Sequence, residues 1–262
     1  MIEHFSYGYI TLPIAFLISM TGSALGLLLA RHARRERVTG RRAMWLVLSA
    51  FAIGGTGIWV MHFVAMLGFD LPDAELRYGP GLTALSAVIA VAAVSCGLLL
   101  IGMGRYSVPK LIAAGMFTGL GVAAMHYTGM AAVNADVELR HEPGFVIAAV
   151  AIAVGASTTA LWLAWRLERT SSMWLAAAVM ALAVNLMHYT GMMGVRVGGD
   201  ISAAVHGAHS IDLIFPMATL TAVVLLFLVF MVITVPSAEE LATDERLAAI
   251  ERGMDPVPDR TR

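Results

Sequence analysis

The sequence predicts an all-α, polytopic membrane protein of seven transmembrane helices, and three observations lead there. Hydrophobic residues make up 59% of the 262 and charged residues only 13%, against about 25% charged in an average soluble domain. Seven apolar runs are each long enough to cross the bilayer, whose hydrocarbon is about 30 Å thick and takes roughly 20 residues of helix. The charges fall in the short segments between those runs, so the net charge of −1 conceals a strong asymmetry. A chain so poor in charge cannot cover a water-facing surface, and membrane lipid is its solvent. Nothing in the balance points to nucleic acid as a partner.

The spans read in order as residues 8–30, 43–68, 81–104, 111–134, 144–165, 173–195 and 212–235. Pro80, Pro109 and Pro143 open the third, fourth and fifth, where a residue without an amide hydrogen fits the first turn. Pro236 closes the seventh. The least defined boundary is the Gly- and His-rich stretch 196–211. Residues 1–7 carry no basic group, and the first run is longer than a signal-peptide core of ~7–15 residues. The single cysteine, Cys96, lies within a span, which excludes an internal disulfide and a Cys-based zinc site.

Orientation follows from the basic residues. Arg31, Arg34, Arg35, Arg37, Arg41, Arg42, Arg105, Lys110, Arg166 and Arg169 occupy the first, third and fifth connections, whereas the alternate ones hold only Arg77, Arg140 and Arg196. The N-terminus is therefore expected outside and the C-terminus in the cytoplasm, in an inner (cytoplasmic) membrane. Residues 1–235 form the membrane domain. Residues 236–262 form a short acidic tail, too short for a catalytic output domain, with Leu241, Leu247 and Ile250 available to an interfacial or partner-binding helix.

An internal repeat organises the chain. Met61-His62-Phe63, Met125-His126-Tyr127 and Met187-His188-Tyr189 recur at spacings of 64 and 62 residues, always on an even-numbered span, and residues 125–130 and 187–192 are identical. The odd spans share a looser pattern of small residues ending in Arg: Ser23-Ala24, Cys96-Gly97 and Thr158-Thr159. The body thus reads as three two-helix units plus one helix, with the three histidines at one depth near the outer end. Gly54, Gly55, Gly57, Gly119 and Gly121 would let these helices approach closely.

Residues four apart share a helix face, so His62 and Met66, His126 and Met130, and His188 and Met192 each offer an imidazole and a thioether from one stripe. Met61, Met125 and Met187 turn about 100° away. Imidazole suits copper, zinc, iron and nickel, thioether favours Cu(I), and no carboxylate set is present for a hard cation. One histidine near a helix end is ordinarily an interfacial residue, and methionine is ordinarily a packing residue. Three intramembrane imidazoles with the same neighbours argue for a shared metal site. Tyr127 and Tyr189 fit equally as interfacial belt residues and as hydrogen-bond partners behind the ligands. His4, His141, His206 and His209 also fall on the outer side, as loop residues or as additions to the site. Asp70 and Asn134 are expected to cap helix ends.

The triplicated Met-His-Tyr-Thr-Gly-Met pattern on alternate helices resembles the MHYT domain family of bacterial membrane sensors, over about residues 1–235. The resemblance implies a copper site near the outer face made by Met61, His62, Met125, His126, Met187 and His188, with Tyr127 and Tyr189. It also implies sensing of oxygen, carbon monoxide or nitric oxide. Phe63 departs from the pattern and removes one hydroxyl. The short tail implies a stand-alone member signalling through a separate cytoplasmic protein. The alternative is a zinc-dependent seven-helix membrane hydrolase using the same three histidines, although no general-base carboxylate accompanies them. Haem is allowed by ligand type but has no attachment motif. A retinal Schiff base is excluded because the only lysine is Lys110, in a cytoplasmic connection. On balance the chain reads as a sensor and not an enzyme.

The charge bias makes a topological prediction. Reporters fused at residues 73 and 138 should be active only outside, and one fused after residue 236 only in the cytoplasm. An exported C-terminal reporter would show that a span has been miscounted.

Overall fold

A computed structural model describes residues 8–71, 74–167, 169–200 and 206–234, together with 243, 247, 248 and 250. Its seven long helices are α1 (Thr11–Arg35), α2 (Thr39–Met66), α3 (Pro80–Gly102), α4 (Val108–Ala131), α5 (Pro143–Arg166), α6 (Thr170–Met193) and α7 (Ser210–Thr234). All are long and apolar enough to span a membrane. Pro80, Pro109 and Pro143 stand in the first turns of α3, α4 and α5, as expected.

Six helices close a ring. Each of α1 to α5 packs on the next, and α6 packs back on α1. The three two-helix units α1–α2, α3–α4 and α5–α6 therefore surround one axis. The seventh helix lies outside the ring, against α2, and is the least buried of the spans.

Small residues set the spacing. A Cβ on Gly22 would lie 2.5 Å from the Gly57 backbone nitrogen, one on Gly54 2.8 Å from the Ala90 carbonyl, and one on Gly119 2.4 Å from Val154 Cα. Gly121 packs against Ala93 in the same way. Gly55 is different: a Cβ there would make only ordinary contact with Val91, so it is not one of the close-approach positions the sequence suggests.

The two ends differ from the sequence reading. The first connection is mostly helix, because α1 runs on to Arg35 and α2 starts at Thr39. Long Arg side chains can keep their charge in water while their stems cover apolar surface, so they need not end a helix. The turn between is held by buried Glu36. Its carboxylate accepts the amides of Arg37 and Val38 at 3.0 and 3.2 Å and pairs with Arg41 Nε at 3.3 Å. Arg34 donates to the Leu167 carbonyl, and Arg42 lies 5.7 Å from the Trp165 ring centre.

At the other end the connections form strands that no periodicity announced. Strand β1 (Leu76–Tyr78) pairs antiparallel with β2 (Val133–Ala135), and β3 (Val137–His141) pairs with β4 (Val195–Asp200). Tyr78 and Ala208 exchange backbone hydrogen bonds of 2.8 and 3.0 Å. The three connections are thus tied into a closed cap over this end of the ring. Gly207, with φ +133° and the Tyr78 carbonyl 2.5 Å from where a Cβ would stand, permits that last link. Asn134 does not cap a helix: it lies in β2 and donates to the Ala132 and His206 carbonyls. Asp70 accepts the Leu71 amide in the turn after α2. Of the tail, residues 243, 247, 248 and 250 are helical, with Leu247 and Ile250 exposed; Leu241, Pro236 and the remainder lie outside the described residues, as do residues 1–7.

Helix α2 carries one more feature. From Phe51 to Val60 its turns are π-helical, wider than the α-helix on either side, and such stretches are rare. His62 stands 23 residues from the start of its helix, whereas His126 and His188 stand 18 from theirs. Wide turns hold more residues per turn, which takes up part of that excess.

The glycine contacts predict a contrast between two positions. Gly119→Ala should destabilise the protein by about 1–3 kcal/mol, because backbone has no room to yield. Gly155→Ala, with nothing within 4 Å, should be neutral or stabilising by up to about 1 kcal/mol, because alanine is the better helix former. Thermal unfolding in detergent of the two variants beside wild type checks this.

Candidate metal centre

The repeat places His62 on α2, His126 on α4 and His188 on α6, and ring closure turns all three toward the axis. Each is 1% exposed. Their ring centroids are 4.9, 5.0 and 5.2 Å apart and their planes cross at 80–87°, a three-bladed propeller of imidazoles. His62 Nδ1 lies 3.0 Å from His188 Nδ1 and 3.3 Å from His126 Nδ1, and one ligand atom from each residue falls within 4.8 Å of the others.

That geometry fits a metal ion. Nitrogens about 2.0–2.1 Å from a common tetrahedral centre stand about 3.3 Å apart. The Nδ1 atoms lie within hydrogen-bonding distance of one another, whereas the Nε2 atoms of His62 and His126 face Gly129 and Gly191 and are buried without a partner. An orphaned polar atom in such a place costs about 1–3 kcal/mol. Among the described residues, the cluster consists of histidines alone.

The ring after each histidine packs against it in the same way. Phe63, Tyr127 and Tyr189 lie edge-on to His62, His126 and His188 at 4.9, 4.8 and 5.0 Å. Phe63 also meets Trp59 and, from the cap, Tyr78.

The methionines are placed differently from one another. All six are buried. Met61 packs with Ala15 and Ala65. Met187 lines a space on the bundle axis, and Met130 lines a cap-side space beside Tyr127 and His141. Met66 lends its carbonyl to the Tyr78 hydroxyl at 3.5 Å. Met125 and Met192 belong to the main core.

Of the outer histidines, His206 and His209 are exposed on the cap, and His4 lies outside the described residues. His141 is nearer the centre. Its ring is 5.4 Å from that of Tyr127, its Nε2 is buried without a hydrogen bond, and burial lowers its pKa. It lines a space of about 460 Å³ between the strands.

Two residues that the sequence reading overlooked set the imidazole positions. A Cβ on Gly129 would lie 2.5 Å from His62 Nε2, and one on Gly191 2.5 Å from His126 Nε2. Each glycine is three residues past the histidine of its own repeat and receives the imidazole of the preceding one. The same position in the first repeat is Ala65. The recurrence of Gly at this offset in two copies was the available signal.

Comparison with known proteins agrees with the repeat. A family profile, MHYT, described as a bacterial signalling protein N terminal repeat, matches residues 55–114 and 119–177. The bifunctional diguanylate cyclase/cyclic di-GMP phosphodiesterase MucR of Pseudomonas aeruginosa is 38% identical over 210 residues, 77% of this chain and 30% of the relative. The cyclic di-GMP phosphodiesterase NbdA of the same organism is 34% identical over 198 residues, 73% of this chain and 25% of the relative. The signaling protein YkoW of Bacillus subtilis is 28% identical over 214 residues, 79% of this chain and 26% of the relative. The chain thus spans less than a third of the length of these relatives. No solved structure matches it.

The glycine contacts predict which neighbours hold the rings in place. Gly129→Ala and Gly191→Ala should each force an imidazole from its position and weaken metal binding, with Thr128→Ala as a control one residue away. Ala65→Gly should change binding little. Metal titration of the four variants in detergent, with unfolding temperature recorded alongside, separates ring displacement from general loss of fold.

Proposed function

The chain belongs to the MHYT family of bacterial signalling proteins, and within that family we propose that it is a copper-binding membrane sensor of a diatomic gas or of redox state. The observation that carries this reading is the convergence of three buried imidazole nitrogens from three helices, at separations suited to one ion. Imidazole with thioethers in reserve favours copper over harder ions. Copper held there would supply a redox-active ion with a position open to oxygen, carbon monoxide or nitric oxide.

The protein's own part is to couple that centre to helix positions. His62, His126 and His188 come from different repeat units, so any change in their separation is a change in the separation of α2, α4 and α6. Gly129 and Gly191 leave no slack between a ring and the next helix, and ring movement therefore passes to backbone. From His126 to the start of α4 is roughly 27 Å at 1.5 Å per residue. At that arginine-rich end, placed in the cytoplasm with the cap outside, a separate signalling protein would read the shift.

A zinc-dependent hydrolase would use the same nitrogens. It would also need a base to activate water, and the cluster gathers no carboxylate among the described residues.

Elemental analysis and an optical spectrum of purified protein test the reading. The expected result is about one copper per chain. Replacing any one of His62, His126 or His188 by Ala should abolish most tight binding, with the triple variant little worse, because ligands to one ion act as a unit. Met66→Leu, Met130→Leu and Met192→Leu should weaken Cu(I) more than Cu(II). Zinc in place of copper would favour the hydrolase, and three independent losses of a third of the metal would overturn the shared site.

A further inference from the structure

Immediately below the histidines, on the side away from the cap, the bundle axis is not filled. A cavity of about 40 Å³ lies there, lined by residues from all six ring helices. Its position follows from the repeat. Ile58, Val122 and Val184 line it, and each stands four residues before a histidine, one turn down the same face. Met187, next to His188, forms part of the wall.

Helix α5 turns mostly small side chains to the cavity. Ala153, Ala156, Ala160 and Ala164, at intervals of three and four, line it beside Ser157 and the larger Leu161. No charged residue contributes to the wall. Its hydroxyls are those of Ser23, Thr118 and Ser157, and Thr118 donates to the Ala93 carbonyl. Most of the wall is nevertheless apolar, and apolar cavities take up molecules such as xenon.

We propose that this axial cavity is a binding site for one small, uncharged, apolar molecule of the diatomic-gas class, held one helical turn from the histidine nitrogens. It rests on the reading of the histidines as a ligand-binding centre only for its consequence, which is that a gas held there stands next to the centre. The binding itself needs no metal.

Xenon is the direct probe. In metal-free wild-type protein, xenon NMR or xenon-pressurised crystals should show one site among Ile58, Val122 and Ala156. Ala156→Leu and the milder Ala156→Val should remove or weaken it, while Ala151→Leu, on the exposed face of α5, should leave it intact. In copper-loaded protein, Ala156→Val should retain the metal yet slow carbon monoxide association severalfold. No xenon in the wild-type cavity, or xenon occupancy and carbon monoxide association unchanged in the Ala156 variants, would overturn the proposal. If wild-type copper protein binds no carbon monoxide at all, the sensor reading fails, and the xenon result alone still decides the cavity.

Discussion

An imidazole nitrogen without a partner is costly inside an apolar bundle, and the architecture around the axis depends on that cost. One buried histidine could be met by a neighbouring carbonyl. Here the Nδ1 atoms of three imidazoles meet one another across the axis, a set of nitrogens that could hold one metal ion. Bringing them together in turn requires three helices of the same direction at equal distance from an axis. A triplicated two-helix unit closing on itself delivers that arrangement, because every even helix then meets the axis in the same way.

Closure works at three levels. Glycines let backbones touch within and between units, so the ring is narrow enough for three imidazoles to meet. The strands and the Tyr78–Ala208 link tie the connections together above the histidines, which limits how far the even helices can spread at that end. The turn built on Glu36 and the contacts of Arg34 and Arg42 do the same for the first unit at the opposite end. Helix α7 takes no part in closure. It covers part of α2, and the repeat is complete without it.

Much of this was legible in the residues. Hydropathy gave seven spans because each had to satisfy its own backbone in lipid, and the errors were confined to helix ends, where Arg side chains extend a helix beyond its apolar run. The recurrence of His with the same neighbours placed three donors at one depth, and parallel helices in a compact bundle had little choice but to bring them together. The cap was not legible, since strands of three to six residues paired between distant connections leave no periodic trace. Gly129 and Gly191 were visible as motif letters, but their purpose appears only when the helix of the next repeat stands beside the imidazole. Met66, Met130 and Met192, which share an offset from their histidines, are all buried in the one main core.

The wide turns of α2 make the three repeats unequal in build. His126 and His188 stand on uninterrupted α-helix, whereas Phe51–Val60 is π-helical and ends two residues before His62. The threefold likeness of the centre therefore belongs to the imidazoles and not to the backbones that carry them.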